Sequence, residues 1–160
     1  MDTTVSEKIL AMIGVEKVRR YEVTQKDIKR FAQAIGETNP IHFDVDYAKS
    51  SGYKTVVAPP LFCQVFTFED VPLEQLPSDG SPIEIDVPIP AQKTVGGGSS
   101  YEIFQLVKAG DLITVKSTLK DLFTKEGKSG LLYFVVVETA FSNQHNEPVA
   151  RETATYIKRV

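Results

Sequence analysis

The stretch VVAPPLFCQVFTFEDV, residues 56–71, decides the fold because it predicts a helix that has no polar face. Proline lacks a backbone N–H, so Pro59 and Pro60 suit the start of a helix, where the first N–H groups have no partner within the helix. We expect this central helix to cover residues 60–70. Apolar side chains occupy nearly every side of it: Leu61, Phe62, Cys63, Val65, Phe66 and Phe68. A helix of this kind is buried on most of its sides.

Four segments after residue 95 are rich in β-branched and aromatic residues, which favours strands. The turn-like sequences AGD, KEGKSG and NQHNE separate them and indicate antiparallel strands joined mostly by hairpins. The predicted strands cover 96–107, 111–125, 130–143 and 147–160. A chain with helices first and strands afterwards belongs to the α+β class. We therefore expect an antiparallel sheet wrapped around the central apolar helix, in one domain over residues 1–160.

The first half of the chain predicts an amphipathic helix that follows a short strand at 18–23. The apolar residues of this helix recur at i, i+3, i+4 and i+7 and form one stripe: Ile28, Phe31, Ala32 and Ile35. Thr24 is the expected N-cap, and Gly36 is the expected residue after the C-cap. Asp44 is expected to cap a further, brief helix. Residues 72–95 hold five of the nine prolines and predict irregular structure.

The composition excludes some classes of partner. The chain has 160 residues, a net charge of −3 and a pI of about 5.4, whereas non-specific nucleic-acid and anionic-membrane binding need a basic face. No run approaches the ~18 apolar residues of a membrane span. Cys63 is the single cysteine, so an intrachain disulfide is excluded. Together with the absence of a secretory signal, this predicts a cytoplasmic protein.

The stretch AIGETNPIHFD, residues 34–44, carries the candidate chemistry. Pro40 has a fixed φ and pushes Asn39 towards extended geometry, so the loop is stiff. A stiff loop can aim the carboxylate of Glu37 and the imidazole of His42 at one water molecule. One group would take a proton from the water while the other delivers a proton to the substrate, and each typically contributes about 10²–10⁴-fold. Asn39 would hold the water or a neighbouring loop.

Other polar residues have ordinary explanations. Plain turn chemistry in the same loop would place His42 at the surface, and His145 lies in the turn-like sequence NQHNE. The three glycines at 96–98 are not followed by Gly-Lys-Ser/Thr, so they do not form a phosphate loop. They indicate a close approach of backbones, and we expect Gly97 and Gly98 to border the substrate. Two histidines and one cysteine provide no convincing zinc set, so we expect no metal.

The segment FAQAIGETNPIHFD, residues 31–44, resembles the hydratase signature of the MaoC-like, hot-dog-fold dehydratases, the (R)-specific enoyl-CoA hydratase group. That signature runs Gly-Asp-x-Asn-Pro-hydrophobic-His-x-Asp. The resemblance continues through AKSSGYKTVVAPPLF and the strand-rich half of the chain, and it covers most of residues 18–159. It is closest to the subgroup named for the N-terminal MaoC-like dehydratase domain. The resemblance implies a hot-dog fold, in which the sheet wraps around the apolar helix.

The resemblance also implies an activity. Family members add water to a trans-2-enoyl thioester or remove it from a 3-hydroxyacyl thioester, and the carrier is coenzyme A or acyl carrier protein. Glu37 and His42 correspond to the catalytic pair, and no metal or redox cofactor is expected. The start of the central helix, at Pro60 and Leu61, would polarise the thioester carbonyl. Since family members form dimers or side-by-side hot-dog pairs, we expect a homodimer, a higher oligomer or a heteromer.

Two positions depart from the family pattern. Glu37 stands where the signature has aspartate, and its additional methylene moves the carboxylate by roughly 1 Å. Pro60 stands where family members commonly have a glycine whose N–H binds the oxyanion, so the N–H of Leu61 would replace it. Three alternatives to an active hydratase stay open: a non-catalytic partner subunit of a heteromeric dehydratase, a hot-dog thioesterase, and a ligand-binding module.

Overall fold

The computed structural model describes residues 7–67, 71–76, 85, 87–89, 93–128 and 130–159. Within these residues, five strands form an antiparallel sheet in the order β1-β3-β4-β5-β2. Their bounds are β1 Glu16–Glu22, β2 Lys93–Ile103, β3 Leu112–Gly127, β4 Gly130–Ser142 and β5 Pro148–Arg159. The α-helices are α1 Glu7–Leu10, α2 Gln25–Ala34, α3 Val45–Ser50 and α4 Gln64–Thr67. Short 3-10 turns cover Pro40–His42, Pro60–Cys63 and Leu73–Gln75.

The apolar segment after Pro59 packs against the inner face of the sheet. It begins as a 3-10 turn and continues as α4, and the predicted residues 68–70 lie outside the described residues. Phe62, Cys63 and Phe66 are buried there. Their surroundings come from α2 and from three strands: Ile28, Ile113, Val115, Phe141 and Ala150. The predicted α+β class, with an antiparallel sheet around an apolar helix, is confirmed.

The expectation that this helix is buried on nearly every side is wrong for two residues. Leu61 is 46% exposed and Val65 is 39% exposed. They lie four residues apart and therefore on one side of the helix. Phe62 and Phe66 face the sheet instead. Because one sheet encloses only part of a helix's circumference, apolar composition by itself overestimates the burial.

Polar side chains hold Thr67 of α4 inside the core. Arg19 of β1 donates a hydrogen bond from Nη2 to the carbonyl oxygen of Thr67, at 2.7 Å. The hydroxyl of Thr67 donates to Glu152 Oε2 of β5 at 3.1 Å, and both of these side chains are buried. Ser117 and Thr139, on the two strands between them, form a further hydrogen bond at 3.1 Å. Since buried polar groups are costly when unpaired, these bonds hold Thr67 of α4 against the sheet.

The predicted strand at 96–107 is wrong at both ends. β2 begins at Lys93, inside the segment expected to be irregular, and it ends at Ile103. The chain then leaves the sheet, and Val107 O accepts a hydrogen bond from Ala58 N–H at 2.7 Å. β2 pairs with β5 at one edge of the sheet, so it forms no hairpin with β3. The predicted hairpins from β3 to β4 and from β4 to β5 are confirmed.

The helix caps and the short strand that the sequence predicts in the first half of the chain are confirmed. Thr24 caps α2 through reciprocal hydrogen bonds with Asp27, at 3.0 and 3.2 Å. Gly36 has a φ of +72°, the left-handed conformation that favours glycine after a helix. Asp44 accepts hydrogen bonds from two backbone N–H groups in the first turn of α3. β1 begins two residues and ends one residue before the predicted strand at 18–23.

Replacing Gly97 by alanine is expected to destabilise the protein by about 1–3 kcal/mol. Gly97 lies where the register between β2 and β5 shifts. A Cβ atom there would lie 3.0 Å from Thr155 O and 3.2 Å from Ile157 Cγ1, so the two strands would have to separate. Gly96→Ala is the matched control, since a Cβ atom at Gly96 meets no described atom within 4 Å. Urea unfolding compares the two variants, and equal midpoints would contradict this explanation.

Candidate active site

The candidate loop is anchored at both ends by backbone hydrogen bonds. At its start, Glu37 N–H donates to Ala32 O of α2 at 2.8 Å. At its end, His42 N–H donates to Asn39 O at 3.1 Å and closes the 3-10 turn that Pro40 begins. The two candidate catalytic residues therefore come from a segment whose backbone is held between α2 and that turn. The stiffness expected from Asn-Pro agrees with this geometry.

Asn39 supports the loop through its side chain. Its Oδ1 accepts a hydrogen bond from Ile41 N–H at 3.2 Å and caps the 3-10 turn. Its backbone has φ −64° and ψ 123°, the extended geometry expected before proline. Asn39 thus holds the turn on which His42 lies. Its contact with a water molecule stays a prediction.

Glu37 is folded back onto its own loop. Its Oε1 accepts hydrogen bonds from the backbone N–H groups of Thr38, at 2.8 Å, and Asn39, at 3.0 Å. The hydrogen bonds from Asn39 and Thr38 lower the pKa of the Glu37 carboxyl, and they outweigh the opposing effect of burial. Among the described residues, none donates a hydrogen bond to Oε2. One oxygen is therefore held by the loop, while the other is left for an external donor.

His42 is buried, with 4% of its surface exposed. Its Nδ1 lies 2.6 Å from Val57 O, and a carbonyl oxygen only accepts, so Nδ1 carries the proton. The lone pair then lies on Nε2. Val57 N–H donates in turn to Ile41 O at 3.3 Å, which ties the loop to the segment before the central helix. The alternative of a surface histidine is wrong, because this ring is enclosed and oriented.

The central helix begins at Pro60, three residues after Val57, whose carbonyl oxygen lies against the ring of His42. Pro60 has no N–H, and Phe62 N–H already donates a hydrogen bond to Pro59 O at 3.0 Å. Among the described residues, none accepts a hydrogen bond from Leu61 N–H. Leu61 is therefore the first residue of this turn whose N–H is available to a ligand.

Gly97 and Gly98 have a structural explanation. Gly97 approaches the backbone of β5, and Gly98 has a φ of +143°, which side chains rarely adopt. Strand packing accounts for Gly97, and the backbone conformation accounts for Gly98. Their expected place beside a substrate stays a prediction.

Cys63 and His145 behave as expected from the sequence. Cys63 is 1% exposed, and burial, followed by the charge of Glu152, raises the pKa of its thiol to about 12. A thiol with this pKa supplies no nucleophile near neutral pH. His145 is exposed in the turn after β4. Within the described part of the chain, no cluster of three His, Cys, Asp or Glu side chains has a geometry that could hold a metal ion.

Val57 is the residue of the candidate site that sequence reasoning missed. It contributes a backbone carbonyl, which any residue type would provide, so its identity carries no signal. The sequence places it fifteen residues after His42. Only the pairing of segment 56–58 with the loop and with residues 107–109 brings that carbonyl to the imidazole.

Among the described residues, we find no helix long and apolar enough to cross a bilayer.

A family model described as "FAS1-like, dehydratase domain region" matches residues 11–152. A curated relative, a UPF0336 protein from Streptomyces avermitilis, is 33% identical over 108 residues, which are 67% of this chain and 67% of the relative. The chain therefore belongs to this family of dehydratase domains. The resemblance to MaoC-like hot-dog dehydratases that residues 31–44 carry is confirmed.

Solved structures share the fold. The R-hydratase PhaJ1 from Pseudomonas aeruginosa matches with a TM-score of 0.69 and 20% identity, over 92% of this chain and 81% of that one. The HadBC (3R-hydroxyacyl-ACP dehydratase) complex from Mycobacterium tuberculosis matches with a TM-score of 0.70 and 21% identity, over 91% and 96% of the two chains. At these identities the likeness establishes the hot-dog fold and leaves the activity to be argued from the site.

Proposed function

We propose that this chain interconverts 2-enoyl and 3-hydroxyacyl thioesters of coenzyme A or acyl carrier protein. Membership of a dehydratase family supports the reaction class. The observation that carries the proposal is the buried imidazole of His42 on the same loop as a carboxylate held ionised. Val57 O orients the ring so that the lone pair lies on Nε2, which has no hydrogen-bond partner among the described residues. Two proton acceptors on one rigid loop suit a water molecule, which has two O–H bonds to donate.

In the hydration direction, water donates one hydrogen bond to Glu37 Oε2 and the other to His42 Nε2. The lowered pKa of Glu37 makes its carboxylate a weak base, so His42 takes the proton. The water oxygen forms a bond to C3 of the enoyl group, and the C2–C3 double bond becomes a single bond. The proton on Nε2 then moves to C2, which restores neutral His42. Glu37 stays ionised and stabilises the transient imidazolium.

Negative charge develops on the thioester oxygen during this addition. A backbone N–H aimed at that oxygen stabilises it in a site from which water is excluded. Leu61 N–H, at the start of the central helix, is the donor that we assign to this role. Pro60 contributes no hydrogen bond, and its fixed φ helps to hold the turn in place.

Replacing Glu37 by glutamine is expected to lower kcat/KM for 2-enoyl-CoA hydration by about 10²-fold, because the amide can no longer accept from water with a full negative charge. The lowered pKa of Glu37 gives a pH signature. Activity that needs the carboxylate is present above that lowered pKa and is lost below it, so the wild type keeps this contribution below the usual carboxyl range. The enoyl absorbance, followed across pH, measures both effects.

Glu74→Gln is the matched control for that experiment, since Glu74 is an exposed carboxylate in the 3-10 turn Leu73–Gln75. It should retain full activity. If the Glu37→Gln variant stays active and its pH profile is unchanged, the Glu37 carboxylate takes no part in the reaction. The same assay with a thiol-reactive dye separates hydration from thioester hydrolysis, because only hydrolysis releases free thiol.

A non-catalytic subunit is the second candidate, because the glycine expected at the helix start is replaced by Pro60. HadBC from Mycobacterium tuberculosis, which shares this fold, is a complex, so hot-dog chains do assemble with one another. The edge strand β2 fits such pairing. Its residues 94–101 carry no charge, whereas the other edge, β1, carries five charged side chains: Glu16, Lys17, Arg19, Arg20 and Glu22. Charged edges resist pairing with another sheet.

The two candidates differ in what the purified chain does alone. An active hydratase turns over 2-enoyl-CoA as a homo-oligomer. A non-catalytic subunit is inactive alone and becomes part of an active enzyme only after a second hot-dog chain is added. Measuring the mass and activity of the same preparation therefore decides between them.

A further inference from the structure

The backbone of residues 56–58, which we call the middle segment, serves two neighbours. On one side lies the candidate loop. Val57 O accepts a hydrogen bond from His42 Nδ1–H at 2.6 Å, and Val57 N–H donates to Ile41 O at 3.3 Å. On the other side lie residues 107–111, which we call the anchor turn. Because successive residues of an extended segment point their backbone groups to opposite sides, bonds made by the residues beside Val57 also fix the direction of its carbonyl.

Two hydrogen bonds fix the middle segment to the anchor turn. Ala58 N–H donates to Val107 O at 2.7 Å. Ala109 N–H donates to Val56 O at 3.2 Å. Since Val56, Ala58 and Val107 are buried, water does not offer these backbone groups an alternative partner. The position of the anchor turn therefore sets the position of the middle segment, which runs on into the start of the central helix.

Asp111 closes the anchor turn with its side chain, and only 4% of the residue is exposed. Its Oδ2 accepts a hydrogen bond from Lys108 N–H at 2.9 Å, and its own N–H donates to Lys108 O at 3.1 Å. Its Oδ1 accepts from Gln144 Nε2 at 3.3 Å. Gln144 Oε1 accepts in turn from Leu112 N–H at 3.1 Å. The two carboxylate oxygens thus tie the anchor turn to itself and to the turn after β4.

The anchor turn also holds the start of α2. Val23 N–H donates a hydrogen bond to Asp111 O at 2.9 Å, and Val23 O accepts one from Gly110 N–H at 2.8 Å. The helix that follows ends at Ala34 and leads directly into the candidate loop. One turn therefore fixes both the helix before the loop and the segment behind its imidazole.

We propose that Asp111 is a positioning residue for the reaction, which acts by fixing the anchor turn and thereby the direction of Val57 O towards His42. The inference rests on the proposed function, because its consequence is that Nε2 of His42 stays a proton acceptor. A carbonyl oxygen only accepts, so it selects the Nδ1–H tautomer as long as it faces the ring. If the middle segment shifts, the hydrogen bond weakens steeply and the Nε2–H tautomer, which has no lone pair for water, becomes populated.

The kinetic test compares Asp111→Ala with Asp111→Asn in the full chain. Alanine removes both acceptor oxygens. Asparagine keeps one oxygen for Lys108 N–H but turns an amide N–H₂ towards Gln144 Nε2, so it should cause a smaller loss in the same direction. With a short 2-enoyl-CoA, kcat of Asp111→Ala should fall by about 10–100-fold, since a misplacement of about 1 Å has effects of this order. KM should change by less than about threefold, because Asp111 acts through His42.

The second readout follows the imidazole itself. The ¹⁵N NMR shifts of the two ring nitrogens distinguish the tautomers, and the spectrum of His145→Ala assigns the signals, since the chain has two histidines. At about pH 9, above the ordinary titration range of imidazole, the wild type should show the Nδ1–H tautomer of His42. Asp111→Ala should show a mixture of the two tautomers, and Asp111→Asn should lie between it and the wild type.

Val137→Ala is the matched control for loss of stability. Val137 is buried in a separate part of the core, around Leu119 and Leu122. Its truncation should lower the urea midpoint, as the substitutions of Asp111 do, and leave both kcat and the tautomer as in the wild type. This comparison separates the positioning of His42 from a general loosening of the fold.

The proposal is overturned if Asp111→Ala keeps the Nδ1–H tautomer, or if its kcat equals that of an active wild type. It is also overturned if Val137→Ala shifts the tautomer equally, because general destabilisation would then explain the change. The same criteria apply to Asp111→Asn if the alanine variant does not fold. The tautomer readout needs no substrate. An inactive wild type would therefore refute the proposed reaction, whereas an unchanged tautomer would refute this inference alone.

Discussion

Replacing His42 by alanine is expected to reduce the rate of 2-enoyl-thioester hydration by about 10²–10⁴-fold. The imidazole is the group to which we assign proton transfer, and its Nε2 has no substitute on the loop, because Glu37 is a weakened base. The loss should appear in kcat and in kcat/KM alike, since proton transfer belongs to the chemical step. Steady-state assays with a short 2-enoyl-CoA measure both quantities.

Alanine also removes the hydrogen bond from Nδ1 to Val57 O, so a second variant separates chemistry from structure. His42→Asn places an amide N–H near the position of Nδ1 and leaves nothing at the position of Nε2. It should be as inactive as His42→Ala while its melting temperature stays closer to that of the wild type. His145→Ala, which changes the exposed histidine, should retain full activity. Substantial hydration by both His42 variants would rule out this mechanism.

Replacing Phe62 by alanine is expected to destabilise the protein by about 3–5 kcal/mol. The side chain is fully buried and makes edge contacts with Phe31 and Phe66, with ring centroids 5.4 and 5.1 Å away. Removing it leaves a cavity between the central helix, α2 and the sheet. Urea denaturation, with the slope checked against that of the wild type, measures the change.

Leu61→Ala is the matched control for this cavity, because it removes a large apolar side chain from the next position of the same turn. Leu61 is 46% exposed, so its truncation should cost well under half as much. Similar decreases in the free energy of unfolding for the two variants would mean that Phe62 is not the main contact between the central helix and the sheet. The Leu61 variant keeps its backbone N–H and should therefore stay active.

Much of the fold was predictable because it follows from short-range chemistry. Thr24 and Asp44 cap helices through their own neighbours in the chain, and Gly36 ends α2 through its own φ. The strands β3, β4 and β5 follow one another through short turns, so local pattern determined their pairing. The amphipathic stripe of α2 likewise needed no distant information.

The place of β2 was not predictable in the same way. Strand propensity and turn signals say that a segment is extended, but they do not say which edge of a sheet it joins. β2 lies beside β5 because the chain leaves the sheet after Ile103 and pairs with segment 56–58 before β3 begins. That path depends on contacts between residues some fifty positions apart. Proline content also misled the prediction for Lys93, since the prolines end before the strand begins.

In the candidate site, too, some features follow from the local sequence and others only from the tertiary structure. By itself, the sequence determined that a carboxylate and an imidazole share one stiff loop, since Gly36, Asn39 and Pro40 act on the backbone next to them. Only the tertiary structure decided what those groups can do. It buried His42 and supplied Val57 O to select its tautomer, whereas the loop's own N–H groups hold Glu37 ionised. The physical reason is that a backbone carbonyl has no residue-specific signature, so its meeting with an imidazole fifteen residues away is a property of packing.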